Sequence, residues 1–250
     1  MSLARAIPGM HQVLRGEPPE GSVIVVLGPP GSIKTGLIYN LMANALNHKG
    51  AQGACAIHIT LDESRGSILR NLTSLHIPVH PRIQVSDLAS FVNFLEETHA
   101  EDLQGEEVLD IVAGKVSQHP LFPSADGAAT ERLCPRFIAI DSLNGLIALT
   151  QLDPSRLRRR LSRLLFTLRQ QGMTSFLVLE TTQGWANAPE LHLADGVIEL
   201  GFDKTPDDLH RRFIWVRKMR ATPHSVEPFL FEVTDKGLSI VGVLIGEPQR

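Results

Sequence analysis

Val23-Ile24-Val25-Val26-Leu27-Gly28-Pro29-Pro30-Gly31-Ser32-Ile33-Lys34-Thr35 is the stretch on which the fold turns. Val23 to Val26 is a β-branched run that reads as a buried strand. Gly28 to Gly31 form a tight Gly/Pro loop. Lys34 and Thr35 then open a segment whose apolar residues, Leu37, Ile38, Leu41, Met42 and Ala45, recur at helical spacing. Strand, glycine loop, Lys-Thr and helix is the layout of a phosphate-binding loop. The backbone over Gly28, Pro30, Gly31, Ser32, Ile33, Lys34, Thr35 and Gly36 is expected to surround the anion, with N–H groups from all of these except Pro30, and the helix N-terminus adds its positive dipole end. Lys34 is expected to reach β- and γ-phosphates, and Thr35 to offer its hydroxyl to Mg²⁺. One position departs from the pattern G-x-x-x-x-G-K-[ST]: Ile33 stands where the second glycine belongs. Either its side chain turns away and leaves the N–H groups free, or it crowds the nucleotide. The bland alternative is a strand-loop-helix junction with an incidental Lys-Thr.

Upstream, residues 1–20 hold Pro8, Gly9, Pro18 and Pro19 and read as an irregular lead-in. Downstream, helix 1 is expected from Thr35 to His48. A second strand runs from Ala54 to Leu61 and stops at Asp62-Glu63, with Ser64 placed to cap the next helix. Ligands of α/β sheets bind at the carboxyl ends of parallel strands. Asp62 and Glu63 therefore stand either as water-orienting carboxylates or as exposed acids at a helix start. Ile83 to Val85 reads as a short strand, with Ser86-Asp87 capping a helix from Leu88 to Glu97. Residues 95–114 carry seven acids and no Lys or Arg. Residues 98–135 read as a loop insertion.

Phe137 to Asp141 is an apolar strand ending in one aspartate. Downstream of a phosphate loop, Asp141 is the expected Mg²⁺ partner of Thr35. A long helix is expected from Leu152 to Gln171. Its buried stripe is Leu157, Leu161, Leu164, Leu165 and Leu168, and its other face carries Arg156, Arg158, Arg159, Arg160, Arg163 and Arg169. That basic face is either solvated or a contact for nucleic acid, an acidic partner or another subunit. Ser175 to Leu179 is a further buried strand. It ends at Glu180-Thr181-Thr182-Gln183, polar residues that either sense a γ-phosphate or cap the strand. Val197 to Leu200, Arg211 to Met219, Phe229 to Val233 and Leu238 to Leu244 follow as strands with no helix between them. The pattern predicts one α/β domain over 1–250: a twisted, mostly parallel sheet with helices on both faces and an antiparallel C-terminal extension.

The bulk numbers agree. At 250 residues and 43% apolar, the chain can bury a core without staples. No window approaches the ~18 unbroken apolar residues of a membrane span. The N-terminus has no signal-peptide core. A net charge of −3 argues against a dedicated DNA-binder. Cys55 and Cys134 read as small core residues of a cytoplasmic protein rather than a disulfide. No His/Cys spacing points to structural zinc.

Together these residues resemble a single KaiC-type domain of the RecA-like ATPase superfamily, the family of the cyanobacterial clock ATPase. The similarity runs over nearly the whole chain. It rests on Pro8-Gly9-Met10, Gly21-Ser22-Val23, the phosphate loop, the acidic pair after Ile59-Thr60-Leu61, Ile140-Asp141-Ser142-Leu143, Ala194-Asp195-Gly196-Val197-Ile198, Arg217-Lys218-Met219-Arg220-Ala221 and His224-Ser225. The resemblance implies ATP and Mg²⁺ as cofactors, slow hydrolysis, and a ring of subunits, a hexamer, with a regulatory or signalling role and a protein partner. It implies that Lys218 and Arg220 act in trans on a neighbour's γ-phosphate. It places Asp62 and Glu63 on paired catalytic carboxylates, with Asp62 shorter than the family's glutamate and Glu63 the base-like residue. Leu191 and His192 stand where the clock protein carries its phosphorylated Ser-Thr pair, so that autophosphorylation is not expected. Two other readings stay open. One is a nucleotide-binding scaffold with little or no turnover, for which Ile33 is the sign. The other is a recombinase-like filament, which the net charge disfavours.

Overall fold

A computed structural model describes residues 2–87, 133–150, 152–181, 189–204 and 210–245. The expected helix from Leu88, the acid-rich stretch 95–114 and most of the 98–135 insertion lie outside the described residues, as do Thr182 and Gln183. A short helix α1 (Met10–Val13) precedes β1 (Val23–Gly28), α2 (Lys34–Leu46), β2 (Ala54–Thr60), α3 (Arg65–Ser74) and β3 (Ile83–Asp87). β4 (Cys134–Asp141), α4 (Leu143–Thr150), α5 (Pro154–Gln170) and β5 (Thr174–Glu180) follow. After a 3₁₀ turn (Pro189–His192) come β6 (Gly196–Lys204), β7 (His210–Met219), β8 (Phe229–Thr234) and β9 (Gly237–Val243).

The nine strands form one sheet in the order β3-β2-β4-β5-β1-β6-β7-β8-β9. Parallel pairing runs from β3 through β6, and β7 to β9 add an antiparallel wing. This is the predicted sheet. Alternation along β1 sets its two faces. Ile24 and Val26 pack with α2, α3 and the inner faces of β8 and β9. Val23, Val25 and Leu27 pack with α4 and α5. Parallel register aligns the strand ends: Gly28 beside Glu180, and Thr60 beside Asp141 on one side and Asp87 on the other. That carboxyl edge carries the candidate site.

Several expectations need correction. The lead-in is not merely irregular: Leu3, Ile7, Met10 and Leu14 are buried in the core beside α2. Their spacing is helical, but Pro8-Gly9 breaks the segment into a turn and the short α1. The helix expected from Leu152 starts at Pro154, capped by Asp153, whose carboxylate accepts from the Ser155 and Arg156 N–H groups. A separate helix, α4, fills the segment before it. Ser86 and Asp87 close β3, and Asp87 accepts from the Arg65 N–H; the helix they are expected to cap lies outside the described residues. The loop expected to reach residue 135 ends earlier, because Cys134 and Pro135 already pair with β2. A register shift between Cys55 and Ala56 accommodates the proline there. Cys55 is a core residue whose thiol burial pushes up to about 12, whereas Cys134 is exposed. No disulfide joins them.

Candidate functional site

The loop after β1 is shaped by close approaches. A Cβ on Gly28 would lie 2.3 Å from the Leu200 carbonyl oxygen on β6, so only glycine leaves the strand here. The Pro29 carbonyl accepts from Ser32 Oγ at 2.8 Å and from Lys34 Nζ at 2.8 Å. Ile33 caps α2 in the left-handed region, φ 66° and ψ 34°, the conformation for which glycine is normally kept. Its side chain lies over Gly36, where an added Cβ would come within 2.8 Å of Ile33 Cγ2. It packs partly buried against the α2–α3 face of the core. The backbone therefore keeps the loop shape despite the substitution.

At the carboxyl edge, Thr35 Oγ1 donates to Asp141 Oδ2 at 2.5 Å. Two oxygen donors facing each other suit Mg²⁺, which takes few protein ligands and fills its shell with phosphate and water. The same carboxylate oxygen lies 3.4 Å from Nε2 of His58. His58 is wholly buried, and neither of its ring nitrogens has a hydrogen-bond partner. Lys34 Nζ lies 3.6 Å from Glu180 Oε2. Burial pulls the Lys34 ammonium below its usual range, while Glu180 and Asp141 oppose that pull. Asp62 accepts from Ser142 Oγ. Glu63 accepts from Ser67 Oγ at 2.6 Å and from Asn71 Nδ2 at 2.9 Å, both on α3. Ser64 caps α3 as predicted, accepting from the Ser67 N–H. Lys34, Thr35, Asp62, Glu63, Asp141 and Glu180 all line one cavity of about 350 Å³, at the small end of ligand-site volumes.

Known proteins share the sequence pattern and the fold. A family profile described as the KaiC ATPase matches residues 3–244. The chain belongs to the KaiC ATPase family. A UPF0273 protein of Thermotoga maritima is 29% identical, over 94% of this chain and 93% of its own length. The circadian clock protein KaiC2 of Synechocystis is 23% identical over 95% of this chain, which spans 39% of that longer protein. Among solved structures, a KaiC-like protein of Pyrococcus horikoshii superposes with a TM-score of 0.65 at 21% identity, covering 94% of this chain and 96% of its own. That likeness is one of fold: the RecA-like sheet of the KaiC family.

Within this KaiC-family chain, Lys218 and Arg220 do not join the cavity. β7 runs antiparallel to β6, so Met219 pairs with Gly196, which pairs with Ile24 at the amino edge of the sheet. Gly28 lies four positions beyond Ile24, so the two basic side chains start roughly 13 Å back along the strands from the phosphate loop. Each is tied locally. Lys218 Nζ donates to the carbonyls of Ala194 and Leu191, and Arg220 Nη1 pairs with Asp195 Oδ1 at 3.3 Å. Sequence reasoning missed His58, visible only as one histidine between two isoleucines in β2. It also missed Asn144, which accepts from the Glu180 N–H and donates to the Glu180 carbonyl, fixing the end of β5 beside the loop.

Proposed function

We propose that this KaiC-family chain folds as one domain that binds MgATP between the subunits of a ring, hydrolyses it slowly, and serves a regulatory or signalling role. The observation that carries the reading is the convergence of Lys34, Thr35 and Asp141 with the acids Asp62 and Glu63 in one cavity at the carboxyl edge. Backbone N–H groups at 31–35 and the start of α2 would hold phosphate oxygens, and Lys34 would neutralise them. Thr35 and Asp141 would hold Mg²⁺, which when bound offsets charge on the β- and γ-phosphates. Glu63 is the water-orienting acid and Asp62 its support. Ser67 and Asn71 on α3 both bond Glu63 Oε2, so Oε1 is the oxygen that would meet the water. Lys218 and Arg220 would serve a neighbour's site, since the sheet separates them from their own.

A steady-state assay of wild type, Glu63→Gln and Ile33→Gly tests this. The reading expects wild-type turnover above background and a large loss in Glu63→Gln. Equal background rates for wild type and Glu63→Gln would leave the second reading, a nucleotide-binding scaffold. The engagement of Glu63 by α3 and the non-glycine at position 33 favour that reading. Activity in Ile33→Gly alone would mark the loop as degenerate.

A further inference from the structure

We propose that Glu180 sets the nucleotide affinity of this site by competing with phosphate for Lys34. The inference rests on the nucleotide-binding reading above and adds to it a residue that works against the ligand. Glu180 closes β5 in register with Gly28, the first residue of the phosphate loop. The Thr181 N–H bonds the Gly28 carbonyl, and Asn144 fixes the Glu180 backbone from both sides. With its backbone fixed in this way, the Glu180 side chain lines the cavity and its carboxylate lies 3.6 Å from Lys34 Nζ.

The two partners differ in exposure. The Lys34 side chain is 7% exposed and the Glu180 side chain 51%. A buried ammonium needs a compensating anion, because desolvation penalises its charge. Glu180 supplies one, while the neutral Pro29 carbonyl accepts a hydrogen bond from the same ammonium. A nucleotide phosphate would supply another at the same ammonium. The two anions repel at that distance, so binding a triphosphate exchanges one for the other. The half-exposed carboxylate is free to swing toward water at little cost. Glu180 therefore lowers affinity twice: its attraction to Lys34 is lost on binding, and its charge opposes the arriving phosphate.

Removing the charge should move two quantities in opposite directions. Glu180→Gln without nucleotide should melt below wild type, because Lys34 loses the nearer of the two carboxylates, Glu180 and Asp141, that offset its burial. The same variant should gain more stabilisation from ATP and bind it roughly three- to tenfold tighter. In a Lys34→Met background, Glu180→Gln should cost no stability. The experiment is thermal unfolding of wild type, Glu180→Gln, Lys34→Met and the double variant, with and without MgATP, alongside calorimetric titration with ATP. A larger ATP-induced shift in Glu180→Gln, including one seen where wild type shows none, supports the proposal. An equal or smaller shift, with wild type itself responding, overturns it and leaves the nucleotide reading intact. No shift in either protein overturns both.

Discussion

Ile33 is the residue that a motif scan would reject, and its tolerance has a local cause. A β-branched side chain in the left-handed region costs roughly 1–2 kcal/mol. Here that cost is offset by packing over Gly36, whose missing Cβ leaves the room. The two positions are therefore coupled. Gly36→Ala alone should destabilise, since its Cβ would press on Ile33 Cγ2 and on Leu75 Cδ1, each at 2.8 Å. In an Ile33→Gly background the first of these contacts is gone, so the cost should fall, helped by the better helix propensity of alanine, about 1 kcal/mol. A double-mutant cycle in denaturant should show an interaction of about 1 kcal/mol or more. Additive effects would mean that Ile33 does not rest on Gly36. Glycine at position 28 has no such freedom: Gly28→Ala forces a Cβ into the Leu200 carbonyl and should lower stability by more than about 2 kcal/mol, measured by the same unfolding.

Among the elements, the segment before β6 carries a polar node at Asp195. Asp195 accepts from the Val23 N–H and from both Arg169 and Arg220, tying β1, α5 and the end of β7. Burial alone would raise its carboxyl, but the Val23 N–H and the two guanidiniums outweigh it and hold the group below its usual 3.8. A carboxyl depressed in the folded chain adds stability above its unfolded value and loses it as pH falls through the folded value. Asp195→Asn should therefore cost about 1–3 kcal/mol near neutrality. The gap to wild type should close below about pH 4, as unfolding curves across acid pH would show. A constant gap would contradict this account of the node. At the start of α3, Ser64→Ala should cost about 1 kcal/mol in unfolding experiments, through the lost cap.

The same scale shows what was legible in the sequence. Strands such as Val23–Gly28 and Thr174–Glu180 were plain because apolar runs of strand length end at polar residues. The leucine stripe of α5 was plain because 3.6-residue periodicity survives its arginines. The burial of Leu3 to Leu14 was not, since Pro8-Gly9 interrupts the pattern while tertiary packing restores it. Nor was the contact of Glu180 with Lys34. The two are distant in sequence, and only parallel register brings the end of β5 beside the loop. Asp62 and Glu63 were found at the right strand end, but their partners Ser142, Ser67 and Asn71 come from folding and from helix spacing that no motif encodes.

For the whole molecule, the sheet places the candidate site residues at opposite edges. The phosphate loop and acids occupy the carboxyl edge, and Lys218 and Arg220 the amino edge. On the proposed reading, these two basic side chains complete a neighbour's site in a ring rather than their own. Loss of a finger supplied in trans typically costs ~10³–10⁵ in rate. Arg220→Ala should therefore fall to near background while keeping its fold, because its tie to Asp195 is long and exposed.

The most direct test mixes two inactive chains. Glu63→Gln lacks the water-orienting acid but keeps Arg220, and Arg220→Ala lacks the finger but keeps Glu63. Co-assembled from unfolded or dissociated subunits, they should regain ATPase activity at boundaries where an intact acid meets an intact arginine. A mixture that stays as inactive as its components, although both chains assemble and bind nucleotide, would contradict a site shared between subunits.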